Sequence, residues 1–289
     1  MTRPPPARLD LASIRWRLLG VSGALLILGG WEILSHTVVR QMPNPDVILP
    51  PIERVIFVGI PSFALFSREA SDQLSGIQEW LLASRVLFDA TISTVARVAI
   101  GTAIGLVMGV GVGMFLYRFP AMHRVADLPV NLLRSIPMLA LTPLFLMWYG
   151  DAEVGALVFV AIGAFSLIAI NTITAISNVP PIYSDFARTL GASRRQLLFL
   201  VIIPAILPAL TGALRVALGN AWMITIGSEL IAKQYGLGRL LALSQTFLDT
   251  SRMIVIAVLL AFYGWLTARS YLLLADRMTR WQPSKSQHA

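Results

Sequence analysis

Six apolar runs punctuate the chain, at about residues 18–34, 91–116, 136–149, 154–176, 197–231 and 253–274. A helix crossing a bilayer needs ~20 consecutive apolar residues, and most of these runs meet that length. The run at 136–149 is short, with 14 residues. The run at 197–231 is interrupted by Pro204 and Pro208, and the part after Pro208 is predicted to span. The most polar stretch is 35–90. It carries Arg40, Arg54, Arg68 and Arg85 against Asp46, Glu53, Glu69, Asp72, Glu79 and Asp89, with Leu-Pro-Pro at 49–51. Its apolar patch at 55–60 is too short to cross a membrane. The pattern predicts an all-α, polytopic membrane protein with six transmembrane helices.

Composition narrows the class. Hydrophobic residues make up 56% and charged residues 13%, against about 45–50% and about 25% in soluble domains. Mean hydropathy is +0.72. An ordinary soluble enzyme is excluded, and so is a disordered chain. Gly and Pro follow no collagen repeat. The absence of cysteine removes disulfide scaffolds, thiol catalysis and Cys-ligated metal.

A net charge of +8 in a soluble protein points to nucleic acid. In a polytopic chain it reads as the excess of Lys and Arg in cytoplasmic loops, with no nucleic-acid partner. With the N-terminus inside, the cytoplasmic segments hold four arginines of the N-terminal tail with Arg118, Arg124, Arg134, Arg188, Arg194, Arg195, Arg277, Arg280 and Lys285. Only Asp10, Asp127, Asp185 and Asp276 oppose them. The expected organisation follows. A cytoplasmic tail covers 1–17, the first span 18–34, an extracytoplasmic loop 35–90, a permease-like core 91–275 and a cytoplasmic tail 276–289. The first apolar run also fits a signal peptide, but no small-x-small cleavage site follows it, so a retained anchor is expected.

Gly101, Gly105, Gly109 and Gly113 recur every four residues and fall on one helix face. That spacing suits close helix–helix packing. The run Gly109–Gly113 lacks the spacing and the preceding strand of a dinucleotide loop. Nor is there a phosphate loop, because the only lysines, Lys233 and Lys285, do not follow Gly. His36, His123 and His288 lie in separate segments, and no metal site or catalytic constellation emerges. Arg97 lies just inside the second span and is expected to snorkel to the outer interface. Arg215 is deeper, where a charge is a site hypothesis by default. It pairs with a carboxylate or carbonyl, or lines an anion path. Glu229 caps its helix, pairs with Arg239, or belongs to an outer gate. Asn171, Asn220 and Trp222 line a path or make interhelical hydrogen bonds. The loop at 178–196 reads as a helix–turn–helix lying along the membrane, with Gly191 at the turn.

That loop resembles the EAA motif of bacterial ABC importer permeases: Glu-Ala-Ala, three residues, Gly, nine residues, then Ile-x-Leu-Pro. Here Asp185-Phe186-Ala187 leads through Arg188-Thr189-Leu190 to Gly191, and residues 192–200 precede Val201-Ile202-Ile203-Pro204. The spacing is kept. Asp replaces Glu, Phe186 replaces Ala, and Val and Ile stand for Ile and Leu. The segments at 134–150, 209–231 and 235–241, with the terminal Arg280-Trp281, are similar to the nitrate/sulfonate/taurine/bicarbonate permease group. The resemblance runs from about 90 to 281. It implies a coupling loop at 178–204 in which Asp185, Ala187, Arg188, Thr189, Leu190, Gly191, Ala192, Ser193 and Pro204 engage an ATPase. It also implies two separate ATPase subunits that bind ATP and Mg, a second permease copy (a homodimer), an extracytoplasmic binding protein and residence in a bacterial inner membrane. This chain then holds no cofactor and is no enzyme. The cargo implied is a small anion of the sulfonate, taurine or nitrate type. A gradient-driven secondary transporter is the alternative, although the spans offer no convincing acid relay. A membrane-embedded enzyme lacks the necessary residue cluster.

Overall fold

Glycines let two of the long helices approach closely. The computed structural model describes residues 11–67, 76–150, 152–231 and 235–280, and all its regular elements are helical. We number the principal helices α1 (Leu11–Thr37), α2 (Ile77–Arg118), α3 (Pro120–Ser135), α4 (Thr142–Tyr149), α5 (Glu153–Ser177), α6 (Pro181–Thr189), α7 (Ile203–Ile231), α8 (Leu237–Thr246) and α9 (Thr250–Met278). A Cβ added at Gly101, Gly105, Gly109 or Gly113 would lie within 2.9 Å of Val160, Ala164, Ile168 or Thr172 respectively. Two four-residue stripes therefore mesh along α2 and α5. In lipid no hydrophobic force drives helices together, so contact of this closeness supplies the van der Waals gain.

The paired residue numbers rise together, so α2 and α5 run parallel. The α7 helix runs the other way, since Glu229 near its end bonds Arg97 of α2. Trp222 Nε1 donates to Thr267 Oγ1 at 3.0 Å, and Tyr271 donates to the Thr211 carbonyl at 2.6 Å. These bonds hold α9 antiparallel to α7. One end of the bundle thus gathers Thr94, Arg97, Glu153, Glu229 and α8. The other gathers Arg118, Ser177, α6, Arg194 and Met278.

The described residues include four helices long and apolar enough to cross a membrane: α2, α5, Arg194–Leu230 and α9. A fifth is reached if two helical pieces bent by 87°, Ala121–Leu133 and Met138–Tyr149, count as one span. The expected straight span at 136–149 is absent. A 3-10 turn at Met138–Leu141 precedes the eight-residue α4. Pro137 biases the residue before it to extended backbone, and Ile136 at φ −74°, ψ 125° ends α3 at Ser135.

Proline acts differently in the fifth apolar run. The helix from Arg194 to Leu230 continues through Pro204 and Pro208. A π-helical turn at Leu197–Ile202 lies just ahead of Pro204, where the widened turn accommodates the missing donor.

The 35–90 segment is also more ordered than a loop. Residues 77–90 open α2, whose 42 residues extend about 63 Å at 1.5 Å per residue, twice a ~30 Å hydrocarbon core. Val55, Phe63 and Ala64 pack with Ala83 and Val86 of α2, Leu237 of α8 and Ile256 of α9, capping one bundle end. Arg252 Nε donates to Ser62 Oγ at 2.7 Å, with its guanidinium over Phe66. At the N-terminus, 11–17 belong to α1 instead of a tail. Residues 1–10 and 281–289 of the expected tails lie outside the described residues.

Candidate functional site

The segment from Pro181 to Gln196 is built by two local rules. Pro181 opens α6 at a position where its missing N–H costs nothing. At the other end Ala192 N donates to the Ala187 carbonyl at 3.0 Å and Gly191 N to the Arg188 carbonyl at 2.9 Å. This pair of bonds is a Schellman stop, with Gly191 in the left-handed region at φ +81°. Two residues later Ser193 begins the next helix with a capping box. Gln196 N donates to Ser193 Oγ at 3.3 Å, and Ser193 N donates to Gln196 Oε1 at 2.8 Å. The chain therefore reverses between two well-terminated helices.

The hairpin packs Ala187 inward, toward Leu197–Ile202, and turns much else outward. Ile182, Tyr183, Phe186 and Leu190 are exposed by 68%, 56%, 64% and 73%. Asp185, Arg188, Thr189, Gly191, Ser193, Arg194 and Arg195 are exposed too, while Ala192 and Pro204 are partly covered. Asp185 and Arg188 approach to 3.8 Å, a surface pair worth little. An apolar ridge flanked by arginines on a short, fixed helix suits a protein groove.

At the opposite end, the structure brings together charges that the sequence leaves apart. The Arg97 guanidinium is buried and forks onto Glu153, with Nε to Oε1 at 2.6 Å and a second bond to Oε2 at 2.8 Å. Its remaining amino group donates to Glu229, which is wholly buried. Thr94 Oγ1 and the Gly238 amide also donate to Glu229. Thr94 Oγ1 in turn accepts from Leu237 N at 2.9 Å. A Cβ at Gly236 would sit 2.5 Å from the Glu229 carboxyl, and one at Gly238 would sit 2.7 Å from Glu229 Cβ. The Tyr-Gly-Leu-Gly stretch is a cradle for one carboxylate.

Arg97 therefore does not snorkel. Two carboxylates hold it inside, which offsets its desolvation. Glu229 is bonded to Arg97, not Arg239. Sequence reasoning missed Glu153 and Thr94, and the signal available was the glycine pair at 236 and 238 following an acid. Outside the spans, Tyr235 donates to the Val86 carbonyl. Burial, with Asp89 nearby, pushes its phenol above the ordinary value, so it stays a neutral donor.

Four further residues separate by environment. Asn171 Nδ2 bonds its own helix at the Leu167 carbonyl. Trp222 is held by Thr267. Asn220 lines a cavity of about 290 Å³ with Ser166 and Pro137. Arg215 lines a larger one of about 630 Å³ between α7 and α9.

Residues 101–280 match the family model described as "binding-protein-dependent transport system inner membrane component". A putative aliphatic sulfonates transport permease protein of Bacillus subtilis is 30% identical over 71% of this chain and 74% of its own. The taurine transport system permease protein of Escherichia coli is 28% identical over 89% of this chain and 87% of its own. Among solved structures, a chain of the MetNI methionine ABC transporter in an inward-facing conformation has a TM-score of 0.60. It is 23% identical and is covered over 96% of its length by 68% of this chain. That likeness carries the fold.

Proposed function

Because the chain belongs to the family of binding-protein-dependent transport inner-membrane components, the permeases of ABC importers, we propose that it forms the membrane pathway of an ATP-driven importer for a small anion of the sulfonate, taurine or nitrate type. The observation that carries the reading is the exposed helix–Gly191–helix surface, set at the basic end of a membrane bundle. Two ATPase subunits, each binding ATP and Mg, dock on that surface. A second copy of this chain completes the pathway, and an extracytoplasmic binding protein delivers cargo at the Arg97 end.

Six spans follow if α1 and the bent α3–α4 unit each cross the bacterial inner membrane with the four long helices. Both termini are then cytoplasmic, with Arg118, Arg124, Arg188, Arg194, Arg195 and Arg277 on that side. Closure of the ATPase pair moves α6 as a rigid lever, and the two-helix hairpin passes that motion to α7. The rigid link is physical: the capping box at Ser193 joins the turn directly to the helix that becomes α7. Mild-detergent purification of the tagged chain from its native membrane, read by mass spectrometry, tests the reading. A P-loop ATPase at about one per permease is expected. A chain that comes down alone, even after crosslinking, favours a gradient-driven transporter.

A further inference from the structure

One stripe of α7 faces out of the bundle with a composition unlike a lipid surface: Gly212, Arg215 and Gly219 are all exposed. Arg215 is fourteen residues from Glu229, about 21 Å along the helix and so inside a ~30 Å hydrocarbon core. A charge that faces lipid there is costly. Among the described residues Arg215 has no ion-pair or hydrogen-bond partner.

What Arg215 does face is the cavity of about 630 Å³, within the ~300–1,000 Å³ range of small-molecule sites. The wall beyond it is apolar, with Leu218, Met223, Leu230 and Leu260. The polar groups on that wall are already used. Trp222 donates to Thr267, Thr267 donates to the Gly264 carbonyl, and Tyr271 donates to the Thr211 carbonyl. Gly219 and Gly264 give the groove its width, since a Cβ at either would meet nothing within 4 Å.

We propose that this groove is a cargo site for an organic anion with an apolar body. Its sulfonate sits on the Arg215 guanidinium, and its alkyl or aryl part lies against Trp222 and Leu260. The assignment rests on the permease reading above and sharpens it. A planar cationic fork recognises a sulfonate by paired hydrogen bonds, and the apolar wall rewards the body by burial. Nitrate or bicarbonate would leave that wall unfilled, so the groove selects organosulfonates over inorganic anions. The phosphate of an inner-leaflet lipid offers Arg215 the same chemistry, and the experiment separates the two.

The test is uptake of labelled methanesulfonate, 1-butanesulfonate and nitrate by native cells carrying the substituted full-length chain, at matched membrane abundance. Wild type is expected to take up 1-butanesulfonate in an ATP-dependent way, without competition from nitrate. Arg215→Gln should lower kcat/KM for 1-butanesulfonate by about tenfold or more, as loss of a charged hydrogen bond implies, and Arg215→Lys should restore part of it. Gly264→Leu fills open space instead of breaking a contact. It should reduce 1-butanesulfonate uptake strongly and methanesulfonate uptake little. Wild-type uptake in both the Gln and Leu variants, or wild-type cells that take up nitrate and no alkanesulfonate, would overturn the site while ATP-dependent transport leaves the importer intact. A phospholipid that co-purifies with wild type and is lost from Arg215→Gln, with uptake unchanged, would overturn it in favour of the lipid. Uptake that persists after ATP depletion would overturn the importer reading itself.

Discussion

Gly191 and Glu229 show how much a single position decides. At φ +81° Gly191 holds a backbone conformation that costs an L side chain ~1–2 kcal/mol, and a β-branched one more. Nothing lies within 4 Å of the added Cβ, so the penalty is strain rather than collision. Gly191→Val should reach the membrane in normal amount yet lose stimulation of ATPase activity by loaded binding protein, while Gly191→Asn, which tolerates that region, should stay close to wild type. Normal uptake in the Val variant would count against a role for the Gly191 turn in coupling. Glu229 makes the opposite case, because its environment is full. Glu229→Ala leaves Arg97 buried with one carboxylate fewer, a loss of the kind that costs ~3–5 kcal/mol, and a lowered melting temperature in detergent should report it. The Gly191 stop was legible in the sequence, since glycine between two polar helical stretches has few other uses. The Glu229 cradle was not. Its members come from residues 94, 97, 153, 229 and 238, and only the antiparallel return of α7 brings them to one point.

The elements were legible in proportion to how apolar they are. α5 and α9 match their apolar runs to within a few residues. The first fourteen residues of α2 did not announce themselves, because Glu79, Arg85 and Asp89 make them polar, and helicity there is set by packing of Ala83, Val86 and Ala90 against the 55–64 segment. Prolines misled in both directions. Pro137 ends α3 at the edge of the run at 136–149, while Pro204 and Pro208 sit in a helix that continues. What decides is whether a neighbouring turn relieves the lost hydrogen bond, and the π turn at 197–202 does so. The glycine stripe makes a prediction at this scale. Gly105→Ala places a methyl 2.6 Å from Ala164 Cβ and 2.7 Å from the Ala161 carbonyl, so α2 and α5 must separate, and thermal stability in detergent should fall. Gly111→Ala, two residues before Gly113 on another face, meets nothing within 4 Å and should be neutral. Equal stability of the two variants would remove the stripe's role in packing.

At the scale of the molecule, the two ends differ in kind. One is sealed by the 55–66 segment and by Arg97, held between the buried Glu229 and the exposed Glu153. The other presents exposed apolar residues among arginines, of which Arg188 lies near Asp185. Charge counting along the sequence anticipated this polarity, because loop charges need no tertiary information. The number of straight spans was less legible, since the run at 136–149 is only the second arm of a unit bent by 87° at residues 134–137. Sidedness can be read directly, because the chain has no cysteine and single thiols stand alone. In spheroplasts an impermeant maleimide should label Phe57→Cys, exposed by 70%, and should reach Ile182→Cys only after permeabilisation. The most direct test of the central claim is a short bifunctional crosslink from Phe186→Cys in the intact native membrane. A crosslink to a P-loop ATPase is expected from Phe186→Cys, and none from Phe57→Cys at the opposite end of the bundle. No ATPase adduct, with the thiol still reactive and the protein still in the membrane, would contradict it.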